Sequence, residues 1–348
     1  MALATLSTII ASQALISGAF SLASQAIGLG LFPRLFIRHT HLDHAGQIYA
    51  PFVNWALYTG CVALVIGFGS SAALASAYGL AVAGVMLITS VAMYTIARGY
   101  WNWSRLAAGL VWGALTLVNG AFLAANSLKF GEGGYVPLGV GLTVFLVMAT
   151  WRWGRKATFA AYGARATMTM RDVVALHRGA PQFIERNALV LSPHPLRELD
   201  DKAPALISLL WERYGLFPRN LILVEVSHPK IPYVVDDRCR VTVFRREPGK
   251  GSVIGVELRF GFLEEPHVES RLADLAKHAE IDLPADPRQW IVHVAHENLL
   301  PRRGLSFWRR VRFRLFLLLR VVSRPTYYAY GLGEEVQLSA EYLPVTLG

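Results

Sequence analysis

The first charged residue of this 348-residue chain is Arg34. Everything from Met1 to Pro33 is apolar or small and polar, including the run IIASQALISGAFSLASQAIGLG from Ile9 to Gly30. A helix needs about 20 predominantly apolar residues to cross a bilayer, so the chain is constrained from its start to a membrane class. The run also carries Ser12, Gln13, Ser17 and Ser21. Polar side chains in a spanning helix face protein, water or an ion rather than lipid. The basic n-region of a signal peptide is missing, so the segment is expected to stay in the mature chain.

The rest of the composition agrees. The chain is 53% hydrophobic and 17% charged, with a mean hydropathy of +0.37. No Asp, Glu, Lys or Arg occurs between Ala45 and Ala97. Residues 1–150 hold five basic residues (Arg34, Arg38, Arg98, Arg105, Lys129) and two acidic ones (Asp43, Glu132). By subtraction, residues 151–348 hold 29 basic against 22 acidic. An apolar half therefore precedes a soluble, basic half. A pI near 9.8 would suit a nucleic-acid binder, but in a membrane chain a basic surplus marks the cytoplasmic side, and no nucleic-acid partner is expected. Cys61 and Cys239 form neither a disulfide framework nor a metal spacing.

Five apolar segments are predicted, at about 3–31, 52–68, 72–97, 106–127 and 135–151, the second and third divided at Gly67-Phe-Gly-Ser-Ser71. If each crosses once, Arg34 and Arg38, Arg98 and Arg105, and Arg152, Arg155 and Lys156 all lie on one side. The opposite loops carry only Lys129 and Glu132. The positive-inside bias makes the basic side and the following soluble half cytoplasmic, with Trp101, Trp103, Trp151 and Trp153 as interfacial anchors. Gly79, Ala83, Gly84, Gly109, Gly113 and Gly120 suit close helix packing. Tyr78, Asn119 and Asn126 read either as interhelical hydrogen bonding or as lining of an ion path. The serines of the first segment recur at spacings of five and four, with Gln13 beside Ser17.

The remainder reads as a linker at 157–187 and a mixed α+β domain at 188–348. Strands are expected at 188–192, 220–227, 239–246, 253–260 and 290–294, and helices at 202–214, 267–279 and 307–322. Gly249-Lys250-Gly251 reads as a hairpin turn, without the strand–loop–helix context of a phosphate loop. The HTHLDH run (His39 to His44) looks like a metal cluster but reads better as a solvated loop that titrates near pH 6.5. No metal, cofactor or catalytic constellation is identified, so an enzyme is not expected. The segment Phe307 to Arg324, FWRRVRFRLFLLLRVVSR, reads in two ways. Arg309, Arg310, Arg312 and Arg314 could place it on an anionic membrane surface, or the helix could pack on a sheet with its arginines extended to water.

Several runs carry a family. ASQALISGAFSL (Ala11 to Leu22) and the following Gln25 to Arg34 resemble the eighth membrane helix of the Kup-type potassium uptake permeases. The likeness continues in order through His39-Thr40, AGQIYAPFVNW (Ala45 to Trp55), Ser70 to Thr89, Ala125-Asn126, Gly133 to Leu138 and MATWRWGR (Met148 to Arg155). In the soluble half ALVLS (Ala188 to Ser192), LILVEV (Leu221 to Val226), FGFLEEPHV (Phe260 to Val268) and GEEVQL (Gly333 to Leu338) match the family's cytoplasmic tail. The resemblance implies an all-α membrane bundle, part of an inverted-repeat, amino-acid-permease-like fold, followed by the cytoplasmic domain.

It also implies proton-coupled potassium import, with potassium and protons as transported ions rather than cofactors, in a bacterial inner membrane. Ser12, Gln13, Ser17, Ser21, Tyr78 and Asn119 become ion-path candidates. The implied partners are the lipid bilayer, potassium, and the preceding membrane helices of the family or a second chain supplying them, with a homodimer left open. The chain is expected to be the C-terminal portion of a permease and inactive alone. The other class is a non-transporting adaptor whose tail binds a nucleotide or protein partner. Three positions depart from the family: Ser24 stands where members carry a basic residue, Gly28 where Gln is common, and Asn119 where Asp is frequent. If that Asp serves proton coupling, Asn119 lacks the titratable group.

Overall fold

The computed structural model describes all residues except Met1, 40–47, Lys129, Pro181, Lys230, Phe262, Leu263, Glu265, Arg302, Arg303, Leu305, Gly333, Glu334 and Gly348. The HTHLDH loop from Thr40 onward lies outside the described residues, as do parts of FGFLEEPHV and GEEVQL. The chain divides into two compact units: Met1–Ala50 with Ala149–Gly348, and Pro51–Met148.

Among the described residues five helices are long and apolar enough to cross a membrane: α1 (Ala2–Gly28), α2 (Pro51–Phe68), α3 (Ser71–Gly99, of which Ala77–Gly99 qualifies), α4 (Arg105–Ser127) and α5 (Tyr135–Gly163). Two-residue strands β1 (Arg38–His39) and β2 (Ile48–Tyr49) pair antiparallel between α1 and α2. Local chemistry sets the breaks. Gly69, at φ +61, sits just past α2, where a residue without Cβ takes the left-handed turn most easily, and its N–H returns to the Val65 carbonyl at 3.1 Å. Ser104 caps α4, its hydroxyl accepting from the Ala107 N–H at 3.1 Å.

Helix α5 runs on to Gly163 rather than ending at residue 151. The helix continues past Trp151 and Trp153 through KATFAAYG, where Tyr162 is buried. The interval 157–187, expected as a linker, holds the last turns of α5, all of α6 (Met170–Gly179) and the start of β3 (Phe183–Ser192). Met170 and Val173 are fully buried there, so this interval belongs to the folded core. Thr169 and Asp172 close a reciprocal capping box on α6, and the two hydrogen bonds from Thr169 hold the Asp172 carboxyl below its usual range.

The chain continues through α7 (Ala205–Tyr214), β4 (Phe217–Ser227), β5 (Cys239–Glu247), β6 (Gly251–Arg259), α8 (Val268–Lys277), β7 (Trp290–Pro301), α9 (Phe307–Val322), α10 (Thr326–Ala329) and β8 (Gln337–Leu347). The six longer strands form one sheet in the order β5-β6-β4-β3-β7-β8. Every pairing is parallel except β5 with β6 across the Gly249–Gly251 turn. The expected α+β arrangement is thus corrected to a mostly parallel α/β sheet. Parallel neighbours need crossover connections, supplied by α7 between β3 and β4 and by α9 and α10 between β7 and β8, while α8 lies on the longer crossover from β6 to β7.

Both faces of the sheet are covered, which explains the unbroken apolar run of β4. Leu221 and Leu223 pack with Met170, Val173, Leu206 and Leu210 of α6 and α7. Ile222 and Val224 face the other way, into a core with Leu272 of α8, Trp290 and Val292. His177, at the end of α6, is fully buried, with Nε2 3.2 Å from the carbonyls of Pro218 and Arg219. The buried Arg245 donates to its Nδ1. Burial first, and the Arg245 charge second, hold the His177 pKa below the usual imidazole value.

Candidate functional site

The unit Pro51–Met148 is held by a seam between α3 and α4 built from small residues. Ala77, Leu80, Ala83, Ser90 and Ala97 of α3 and Ala108 of α4 are buried. A Cβ on Gly79 would lie 2.7 Å from the Asn126 Oδ1, so only glycine lets that amide approach. Asn119 donates from Nδ2 to the Ser90 hydroxyl at 2.7 Å and to the Met86 carbonyl at 3.4 Å. Ser90 in turn donates to Met86 O at 2.9 Å. Such a chain satisfies polar groups away from water and ties the two helices together. Tyr78 lies outside this network and is 71% exposed. It stands a dozen residues before Ser90, roughly 18 Å along a helix, so Tyr78 and Asn119 do not share one cluster.

In α1 the Ser12 hydroxyl donates back to the Ile9 carbonyl at 2.7 Å. Gln13 and Ser17 are exposed and Ser21 is half-buried. Among the described residues the Gln13 amide has no side-chain partner, although it brings two donors and an acceptor to a spanning helix. The single buried residue of α1 is Phe20, edge-on to Tyr49 at 5.7 Å.

The arginine-rich α9 packs on the end of α5. Phe313 and Phe316 are buried with Trp151 and Leu299. Gly154 forms the seat, since a Cβ there would lie 2.2 Å from the Phe316 ring. Arg312 donates to the Ala149 carbonyl at 3.0 Å and lies 4.8 Å from the Trp153 ring centroid. Arg309, Arg310 and Arg314 are exposed, with no ion pair among the described residues.

Sequence reasoning missed one polar group of the α/β sheet. Glu225 of β4 is 7% exposed, in register with Ser192 of β3 and Glu257 of β6, toward the carboxyl ends of the parallel strands. Arg197 clamps Glu257 bidentately, Nε donating to Oε2 at 3.1 Å and Nη2 to Oε1 at 3.0 Å, while Glu225 Oε2 has no partner among the described residues. The signal was the lone acid inside the apolar run LILVEV. Burial, then repulsion from Glu257, pushes Glu225 up from 4.5 to about 7. A carboxyl raised on folding binds its proton more tightly in the folded chain, so its stabilising contribution is present in acid and is lost as pH rises from about 4.5 through about 7. Glu225→Gln is therefore expected to flatten that fall and to raise the unfolding midpoint above pH 7. Thermal unfolding of both chains across this pH range checks it, and identical slopes would refute the assignment.

Burial also raises the half-exposed Cys239 thiol to about 11, leaving it a poor nucleophile, and Cys61 is exposed on α2.

The family profile described as the K+ potassium transporter integral membrane domain matches residues 1–156, and that of the K+ potassium transporter C-terminal domain matches residues 195–337. The probable potassium transport system protein Kup of Chlorobaculum tepidum is 34% identical, over 97% of this chain and 54% of its own length. Kup 2 of Novosphingobium aromaticivorans is 42% identical, over 97% and 51%. Kup 3 of Dechloromonas aromatica is 37% identical, over 90% and 48%. The chain thus spans about half the length of the curated relatives it matches. No solved structure matches.

Proposed function

The chain belongs to the K+ potassium transporter family and is a multi-pass membrane protein, and from that premise we propose that it forms the C-terminal part of a proton-coupled potassium importer. The observation that carries the reading is the match to the family over both regions, membrane and soluble. The membrane helices belong to an inverted-repeat permease fold of the bacterial inner membrane, with the α/β domain in the cytoplasm, as the distribution of basic loops supports.

Potassium needs several oxygen ligands in place of its hydration shell, and neutral hydroxyls and carbonyls serve. Gln13, Ser17 and Ser21 offer such groups on a helix whose face is open in this chain, with Ser12 turned back on its own backbone. Tyr78 offers an exposed hydroxyl. Asn119 takes a positioning role, since its amide is engaged with α3. It has no titratable proton, so coupling resides elsewhere in the transporter.

Residues 1–348 by themselves do not transport, because the ion site of an inverted-repeat fold draws on both repeats. Cells stripped of their own potassium uptake systems test this. With residues 1–348 alone they are expected not to grow at low potassium. With the same residues joined behind the N-terminal half of the Chlorobaculum tepidum relative, growth and rubidium uptake return, and Gln13→Leu in that fusion lowers uptake tenfold or more, about 1.4 kcal/mol or more. Growth with residues 1–348 alone refutes the need for a second half. A membrane-inserted fusion that takes up no rubidium refutes the transport reading.

A further inference from the structure

Helix α9 carries two apolar faces, and only one of them is covered. Phe313 and Phe316 point into the core with Trp151 and Leu299. On the opposite side Phe307, Trp308, Val311, Leu318 and Val322 recur at helical spacing and are all exposed, Trp308 at 78% and Leu318 at 65%. Val321, beside them, is 84% exposed. Arg310 and Arg314 border one edge of this face and Arg312 the other.

Helix α9 is fixed at its middle to α5 and at its end to the segment that follows α1. At its middle, Arg312 donates to Ala149 and Phe316 rests on Gly154, both in α5. At its end, the Arg324 N–H donates to the Arg34 carbonyl at 2.8 Å and the Arg34 N–H donates to the Ser323 hydroxyl at 3.2 Å. The Arg324 guanidinium lies 3.9 Å from the Phe36 ring centroid. Residues 34–36 follow α1, so α9 bridges the exits of α1 and α5 within one unit. Trp151 and Trp153, of the type that sits at headgroup level, lie against it.

We propose that α9 is an in-plane membrane helix whose exposed face is seated in anionic lipid. The bilayer is the occupant that the neighbouring span exits place beside this face, and Arg310 and Arg314 on its rim, with no ion pair among the described residues, complement acidic headgroups. An amphipathic helix of this kind buries its apolar face about 5–10 Å into the boundary between headgroups and acyl chains. Each arginine near an anionic surface adds about 1 kcal/mol, which is about fivefold in binding. The helix would thereby hold the α/β domain against the bilayer and tie that domain to the ends of α1 and α5. This goes beyond the transport reading and stands or falls independently of it.

The test uses the full chain in nanodiscs, with Cys61 and Cys239 changed to serine and a nitroxide attached through Leu318→Cys or Val321→Cys. In discs of phosphatidylcholine mixed with phosphatidylglycerol, oxygen is expected to relax both labels while a water-soluble nickel chelate does not. In phosphatidylcholine alone the protection weakens, and Arg310→Gln with Arg314→Gln reduces the preference for anionic discs about fivefold per arginine. Nickel access in both lipids overturns the proposal. So does exclusion of both reagents, which would mean that a second copy or another protein covers the face. The unmodified chain provides a second reading: brominated phosphatidylglycerol quenches fluorescence that Trp308→Phe removes, and quenching unchanged by that substitution also overturns it.

Discussion

Trp290→Ala lowers the stability of the α/β region by about 3–5 kcal/mol, the range for truncating a fully buried tryptophan. Trp290 opens β7 and has no exposed surface. Its ring packs in the core that joins Leu189 of β3, Ile222 of β4 and Leu272 of α8, and its indole N–H donates to the Pro284 carbonyl at 2.8 Å. It is also the first residue of β7 to pair with β3, opposite Asn187, so the cavity would open where that ladder begins. Neighbouring strands are held by their own parallel ladders and cannot collapse into the space. Against a total of about 5–15 kcal/mol for a domain, this is a large fraction. Urea unfolding followed by circular dichroism measures it. Trp290→Phe keeps most of the volume and separates the lost hydrogen bond from the cavity, and a shift below about 1 kcal/mol for the alanine would show that the site closes up.

Gly251→Ala is the second large effect, and Gly249→Ala is its control. Both residues have positive φ, +82 and +77. A left-handed backbone costs a residue with a Cβ about 1–2 kcal/mol. That is the whole expected effect at Gly249, where a Cβ meets nothing within 4 Å. At Gly251 the Cβ would lie 2.0 Å from the Arg219 carbonyl oxygen and 2.9 Å from its carbon. That oxygen belongs to β4, one residue before the Asn220–Ser252 pair, so relief requires parting β4 from β6. The expected loss exceeds about 3 kcal/mol, the upper reach of a single strained site. Equal losses for the two variants would show that the contact with Arg219 carries no weight.

How much of this was legible follows from the kind of information each feature needs. The spanning helices could be placed because crossing a bilayer requires only a run of apolar residues, and Gly69 breaks the long run where the sequence indicates. Helix α6 escaped because it is short and amphipathic, although the Thr169–Asp172 capping box was a readable start signal. Strand β8 escaped because Pro344 interrupts its pattern, and it is held at the sheet edge by pairing with β7 alone. Of the candidate ion-path residues, Asn119 could be recognised as polar within a span, but not its Ser90 partner 29 residues earlier. Glu225 was visible as an acid in an apolar strand, but its missing hydrogen bond depends on what three strands place around it.

The amino-acid sequence by itself determined that this chain is membrane-embedded, where its apolar helices lie, which loops are basic and which family it belongs to. Hydrophobicity, charge and motif order are properties of consecutive residues, and they survive without a fold. Only the tertiary structure decided that the soluble sheet is mostly parallel, that Asn119 joins α3 to α4, and that α9 covers one apolar face and leaves the other bare. Those outcomes depend on which distant residues meet, and that is settled by packing and hydrogen-bond satisfaction across the whole unit rather than by any local pattern.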